Sequence, residues 1–392
     1  MRESRELGAL RLATAGIGVV GVTFGMARYG YGLLLPDVRR DYGLSPGLLG
    51  AIGTAAYVGY LAATALTGSL AARAGPRRTA VAAGLLAALG MTIAGLSQTP
   101  AVFFAGVLVA GTSSGLAFAP FSDAALCVAP SLRGRVLAAV NCGTGYGVAL
   151  AAPLAIVAGA AWRTAWFAFA GVALLATLWA AWVLRGPPGE RARGEPPYGW
   201  SAVLCARSRP LLAGGVLVGI GSSAYWTFAV EHLTGAGALS SAASRSFLGV
   251  VGVASVLATL TADLLDRLGA VRALVSATLA EATALALLAL LPSSLPAAVI
   301  SGVLFGAAYN SALAIQAIWG AHVFSSRPSL GISAVMSANG LGLLLGSLGA
   351  GLLAGLLGLG PVFLIGAGFL VVGGLLSPRE AILPRELATV SS

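Results

Sequence analysis

The sequence predicts an all-α membrane protein of twelve spanning helices in two six-helix, pseudo-symmetric bundles, and three observations carry that expectation. Apolar residues fill 58% of the 392 positions and charged residues 9%, where soluble domains run at about 45–50% and about 25%. Twelve windows of roughly 20 apolar residues, the length that crosses a bilayer, leave the charges almost entirely between them. A short polar stretch also repeats: Arg73 and Gly75 return as Arg267 and Gly269, each 194 positions later (267 − 73 and 269 − 75). Six spans followed by six in the same orientation give two bundles related by an axis along the membrane normal, with a site at their interface.

The windows of the first half fall at 12–35, 46–71, 79–97, 101–128, 135–160 and 164–184. The first follows Arg2, Arg5 and Arg11 as a signal peptide would, but it is too long for such a segment and lacks a small-residue cleavage site, so it is expected to stay as helix 1. Pro120 and Pro153 fall in the fourth and fifth windows and predict bends there. Gly143, Gly145 and Gly147 in the fifth window are small enough to let helices approach closely. Residues 186–208, with Pro187, Pro188, Gly189, Pro196 and Pro197, form a long polar stretch that reads as a linker between a bundle at 1–185 and another at 209–392. The second half supplies windows at 210–230, 247–265, 272–291, 296–319, 330–357 and 361–377. Its fifth window carries Gly340, Gly342, Gly346, Gly349, Gly351 and Gly355, again suited to close packing.

The net charge of +10 reports topology rather than a nucleic-acid partner. With the N-terminus inside, the cytoplasmic side receives most of the arginines, and the outer side only Arg39, Arg40, Arg163 and Arg245, the bias expected of basic loops. Both termini are then cytoplasmic. Every basic residue is Arg and none is Lys in an Ala, Gly and Leu-rich chain, a composition that points to a high-GC bacterial genome, so the spans are expected in a bacterial inner membrane. Cys127, Cys142 and Cys205 are odd in number and lie on or near the side where thiols stay reduced, so neither a disulfide nor a metal site is expected.

The segment from Gly68 to Arg78 resembles the signature loop of the major facilitator superfamily, G-x-L-a-D-R-x-G-R-R, with Ala72 where the family usually has Asp. The second copy keeps Asp266, Arg267, Gly269 and Arg272 but has Ala262 at the first glycine position. The resemblance covers essentially the whole chain and implies an alternating-access carrier with helices 1, 4, 7 and 10 lining the cavity. It also implies a cytoplasmic gate formed by Arg73, Gly75, Arg77, Asp266 and Arg267, leaning on the last two because Ala72 removes a carboxylate. Helix 1, through Arg28, Tyr29, Tyr31 and Pro36, is similar to the YbfB/YjiJ-like subgroup pattern. Drug/proton antiporter marks are missing: Val107 stands where an Arg would precede Gly111 by four, and Pro153 comes six residues after Gly147.

Arg28 is the sharpest candidate for substrate binding. It lies inside an otherwise apolar window, about five residues or about 7–8 Å outward of its centre, where an arginine is costly unless it meets a partner or a cavity. Its five-donor fork suits carboxylate, sulfonate or phosphate groups. The blander alternatives are an arginine bonded to nearby carbonyls or snorkelling outward. Gly21, Gly25 and Gly32 fall on nearly the same ideal helical face and are expected to clear room around the guanidinium.

Tyr29 and Tyr31 flank it, with Phe118 on helix 4, Tyr225 and Trp226 on helix 7, and Tyr309, Asn310 and Gln316 on helix 10 as further lining candidates. Such residues also serve as packing or as interfacial belts. Asp123, Glu231 and His232 are candidate proton-coupling groups, histidine because it titrates nearest neutral pH. Asn141 and Asn339 are expected to bond across the bundle interface. Glu281 lies near the centre of helix 9, a place that flags function in a membrane, but the resemblance puts helix 9 on the periphery, so a protonated or helix-paired glutamate stands equally open and it has no assigned role.

Other classes fit less well. Gly111 to Gly115 spells G-x-S-x-G but inside a helix, without the strand-to-helix turn that a hydrolase needs. Gly143 to Gly147 lies within a span and not in a re-entrant filter loop. No P-loop, H-E-x-x-H pair or Cys/His cluster is present, so no enzyme chemistry, metal or cofactor is expected. The expectation is a secondary carrier, monomeric, moving a small organic anion with a proton. Its alternatives are an efflux carrier for a metabolite or drug-like compound, and a receptor or scaffold that binds without transport.

Overall fold

A computed structural model describes residues 2–185, 204, 206–237, 239–325 and 328–376. The first half holds α1 (Glu6–Tyr42), α2 (Pro46–Thr67), α3 (Arg73–Leu96), α4 (Pro100–Ala125), α5 (Leu132–Ala158) and α6 (Trp162–Val183). The second holds α7 (Arg209–Gly235), α8 (Ser241–Leu260), α9 (Asp263–Leu290), α10 (Leu295–Val323), α11 (Leu330–Leu357) and the shorter α12 (Leu359–Leu375). All twelve expected windows are helices. Most of the 186–208 linker, Cys205 included, lies outside the described residues, so the sequence-based bundle boundaries carry no structural detail there.

Helix starts follow local chemistry. The side chains of Ser45, Thr99, Ser240 and Ser294 accept from backbone N–H groups three residues on, capping α2, α4, α8 and α10. Pro46, Pro100 and Pro296 occupy first-turn positions where no backbone donor is lost. The two polar repeats share one backbone kink: Gly75 has φ 79° and ψ 166°, and Gly269 has φ 74° and ψ 161°. That conformation is strained for any residue with a Cβ, so the duplication seen in the letters is also a duplication of geometry.

Pro120 acts as expected. Helix α4 breaks into Pro100–Gly115 and Ala119–Ala125, with a short turn between. Pro153 does not interrupt its helix, which runs unbroken over Pro130–Ala158. Asn141 is exposed rather than buried in the bundle interface.

The halves meet along three helix pairs, α1 with α7, α2 with α11 and α5 with α8. Glycine makes these approaches possible. A Cβ on Gly50 of α2 would sit 2.8 Å from the Gly351 Cα of α11, and one on Gly32 of α1 would overlap the Trp226 carbonyl oxygen of α7. We call the end carrying the turns at 43–45, 97–99, 159–161 and 236–240 the loop end, and the opposite one the terminal end.

All four arginines expected on the outer side lie at the loop end and are paired. Arg163 Nη1 reaches Asp41 at 2.7 Å, Arg40 lies 3.6 Å from Asp37, Arg39 pairs with Glu231, and Arg245 Nη2 meets Asp37 at 2.5 Å. Two of these pairs, Arg39 to Glu231 and Arg245 to Asp37, tie one half to the other. The hydrogen bonds and ion pairs that join the halves through Tyr29, Arg39, Thr54, Arg245 and Ser347 lie in the loop-end part or at the centre. The molecule is sealed at its loop end.

Candidate functional site

The centre of the molecule is built around Arg28, and α1 departs from ideal helix geometry to place it. Gly21–Arg28 is wound as a π-helix, closed by the i to i−5 bond from the Tyr29 N–H to the Phe24 carbonyl at 3.1 Å. Such wide turns carry an extra residue and recur at functional sites. The wide turn also overturns the single-face expectation for the glycines. Gly21 and Gly25 pack against Gly143 and Gly147 of α5, whereas Gly32, beyond the wide turn, faces α7. They bring backbones together and do not clear space around the guanidinium.

Arg28 is 5% exposed. Its guanidinium carbon lies over four rings, Tyr60 at 4.3 Å, Tyr57 at 4.7 Å, and Phe24 and Tyr29 at 5.3 Å each. A cation over a desolvated ring gains about 2 kcal/mol, so this cage offsets part of the cost of burial. It does not complete the hydrogen bonding: Nε has no partner, and none of the ion pairs among the described residues involves Arg28.

Second-half residues close the cage from across the interface. Trp226 of α7 stacks on Tyr29 with ring centroids 4.0 Å apart. Tyr309 of α10 stacks on Phe305, brings its hydroxyl to 3.5 Å from that of Tyr29, and donates to Asn339 Oδ1 of α11 at 3.4 Å. Phe118, half-buried on α4, packs on Phe24 at 5.1 Å. The side-chain NH2 of Asn339 and the indole N–H of Trp226 remain unpartnered and buried.

Of the expected lining residues, the structure therefore brings together Arg28, Tyr29, Phe118, Trp226 and Tyr309. Tyr31 points elsewhere, donating to the Leu49 carbonyl at 2.7 Å and packing on Phe103. Tyr225 turns into its own half, bonded to Ser301 at 2.8 Å and stacked on Phe305. Its neighbour Trp226 faces the interface because adjacent helical residues point about 100° apart. Gln316, fully buried with both amide atoms unpartnered, lies beside Gly214 of α7 within the second half. Asn310 is half-buried, beside Tyr309 in the chain but off the cage face.

Tyr57, Tyr60, Phe24 and Asn339 complete the site, though the sequence singled out none of them for the cavity. The signal for the tyrosines was their spacing of three on one face of α2; the assignment of the cavity to helices 1, 4, 7 and 10 drew attention away from it.

The expected proton-coupling residues are dispersed. Glu231 is buried and paired with Arg39 rather than solvated. His232 brings Nε2 to the Leu288 carbonyl at 3.1 Å and packs on Phe363. Asp123 is exposed. At the terminal end Arg73, Asp266 and Arg267 are exposed, Arg77 donates to the Ala181 carbonyl at 3.0 Å, and Gly75 holds the kink.

Two helical bundles meeting along three helix pairs form an architecture already shared by known proteins. Residues 17–280 match the profile of the Major Facilitator Superfamily. The chain belongs to that superfamily. A putative uncharacterized transporter, YgaY, of Escherichia coli (strain K12) is 34% identical over 169 residues, 42% of each chain. A chloramphenicol resistance protein of Streptomyces lividans is 29% identical over 211 residues, 51% of this chain and 53% of that one. The chain thus aligns with about half, or less, of the length of these relatives.

Among solved superfamily-like folds, a variant of the nucleoside transporter NupG superposes with a TM-score of 0.76 at 15% identity, covering 93% of this chain and 98% of that one. The xylose transporter XylE from E. coli, in a partially occluded inward open conformation, gives 0.72 at 17% identity, covering 95% and 97%. At these identities the likeness is one of fold. The protein is a multi-pass membrane protein of this superfamily.

Proposed function

We propose that this superfamily member is a secondary carrier that moves a small organic anion across a bacterial inner membrane by alternating access, coupled to protons. The observation that carries the reading is the Arg28 guanidinium, buried among four rings with a free Nε donor and no carboxylate. A buried donor left without a partner costs about 1–3 kcal/mol. An anion supplies both the missing charge and the missing acceptor. The weak 3.5 Å contact between Tyr29 and Tyr309 is one the ligand can displace, and the flat rings around it favour a substrate with a planar, apolar body.

In this reading the bundles are residues 1–185 and 209–392, joined by the 186–208 linker, with both termini cytoplasmic and the loop end facing outward. The chain works as a monomer, without enzyme chemistry or cofactor. The sealed loop end then corresponds to a state closed to the outside, and the exposed Arg73, Asp266 and Arg267 find their partners in the opposite state, while Arg77 is held on the Ala181 carbonyl. Binding at Arg28 ties α1 to α7 and α10 and so stabilises the occluded intermediate through which the halves rock.

Export is the second reading, favoured by the chloramphenicol resistance relative and disfavoured by the residues at Val107 and Pro153. A thermal-shift screen of carboxylates, sulfonates and phosphates on purified protein tests the anion site. At least one class is expected to stabilise the wild type and not Arg28→Lys. Absence of any such anion, or equal stabilisation of both proteins, refutes the reading. Flux of that anion into proteoliposomes then sets direction: accumulation from an acidic exterior indicates symport, and acid-driven loss indicates exchange.

A further inference from the structure

We propose that Glu281 of α9 is the group that takes up and releases the coupling proton, from a dry site inside the second half and not from the central cage. The proposal rests on the carrier reading and deepens it. Among the described carboxylates, Asp37, Asp41 and Glu231 are paired with arginines, and Glu6, Asp123, Asp263 and Asp266 are exposed. Glu281 is 0% exposed and pairs with no cation.

The hydrogen-bond geometry identifies the protonation state. Ser222 Oγ of α7 lies 2.8 Å from the Val218 carbonyl oxygen and 2.8 Å from Glu281 Oε2. A serine hydroxyl has one proton and cannot serve two acceptors at once. Both contacts are satisfied when Glu281 Oε2 carries a proton and donates it to Ser222 Oγ, while the hydroxyl donates to Val218. Oε1, with no partner, is then the carbonyl oxygen of a neutral acid. An ionised carboxylate would have a single shared donor in a fully buried site with no paired counter-charge, which is strongly unfavourable.

No neighbouring group takes over the titration. The elements packed on α9 are α7, α8, α10 and α12. The α7 face brings Tyr225, bonded to Ser301, and His232, held on the Leu288 carbonyl seven residues along. The α10 face brings Ser301, donating to the Ala284 carbonyl, and at its far end His322, on the Ile318 carbonyl. Residues 255–260 of α8 and the whole of α12 contain no charged side chain. On α9 itself Asp263, Asp266, Arg267 and Arg272 are exposed at the terminal end.

Ser222 also connects this site to the cage. It lies one turn before Trp226, the residue stacked on Tyr29 beside Arg28. Release breaks the Oε2–H bond and passes the proton to water, which requires α7 and α9 to admit solvent. Reprotonation restores the dry contact. One proton on Glu281 moving with one monoanion at Arg28 transfers no net charge, so the apolar centre is crossed by a neutral pair.

The test uses the full chain reconstituted in lipid, with no substrate added. Infrared difference spectra between near-neutral buffer, where exposed carboxylates are already ionised, and alkaline buffer are expected to show a carboxylic-acid C=O band in the wild type that is lost at high pH, and its complete loss in Glu281→Gln. Trp emission is expected to shift with pH in the wild type, through the Trp226 stack, and to stop shifting in Glu281→Gln. The isosteric glutamine keeps a donor to Ser222, and unchanged amide bands verify the fold. A band that survives in Glu281→Gln, or is missing from the wild type, overturns the assignment. A Trp shift that persists without the band overturns the coupling role. Arg28→Lys is expected to retain both signals while losing anion stabilisation, so failure of the anion reading and failure of this one give different results.

Discussion

The loop end and the central layer treat charge in opposite ways. At the loop end Arg39, Arg40, Arg163 and Arg245 each face a carboxylate. At the centre Arg28 faces only rings, and Glu281 only a serine. Neutralised charges cost little once formed and fix one arrangement of the halves. Unneutralised ones leave an interaction for a solute or a proton to complete. Sealing and transport are thus separable by whether a charge has its counter-charge inside the chain.

The sharpest way to break that contrast is to unpair the loop end. Asp37→Ala strands Arg245, whose side chain is 3% exposed, and removal of one partner from a buried pair costs about 3–5 kcal/mol. The expected result is a large fall in thermal stability in detergent, with much of it recovered in the double variant Asp37→Ala/Arg245→Ala. A small effect of Asp37→Ala would mean that the pair does not hold the halves together. Gly32→Leu attacks the same seal sterically, because a Cβ there overlaps the Trp226 carbonyl oxygen, and overpacking costs about 1–3 kcal/mol. Solvent labelling near Gly32 is expected to rise, while the control Gly171→Ala, with open space around it, leaves labelling unchanged.

At the centre the expected signature is reversed. Arg28→Lys keeps the charge and most ring contact but loses the planar fork. It is expected to cut solute flux at least tenfold, about 1.4 kcal/mol of transition-state stabilisation, with little change in melting temperature. Equal loss of stability and flux would place Arg28 in the class of structural arginines.

This contrast was only half legible in the sequence. The twelve spans, the repeat and Arg28 follow from hydropathy, spacing and the cost of an arginine in lipid, all local properties of the chain. The sorting of aromatics was not. Tyr29 and Tyr31 read alike, yet one joins the cage and the other bonds to Leu49, because two residues apart on a helix is about 200° of rotation, and the π-turn at Gly21–Arg28 shifts both relative to the face that a 3.6-residue pattern extends from the first turns of α1. Tyr225 and Trp226 are adjacent and separate for the same reason, since a regular helix points them apart. Glu231 read as a proton carrier because its partner, Arg39, lies 192 residues away in sequence. Pairing across the halves is a tertiary fact, and it decides which charges are free.

The smallest expected effect sharpens the comparison most finely. Arg39 has a side chain 44% exposed, whereas its partner Glu231 is 9% exposed, so the pair straddles the boundary between sealed interior and solvent. Solvent screening limits such a pair to about 0.2–1 kcal/mol. Arg39→Gln is therefore expected to lower thermal stability only slightly, less in high salt than in low, because added salt has already weakened the wild-type pair. An effect as large as that of Asp37→Ala, and independent of salt, would show that Glu231 behaves as a fully buried charge like Asp37. The division between loop end and centre would then have to be drawn by depth and not by pairing.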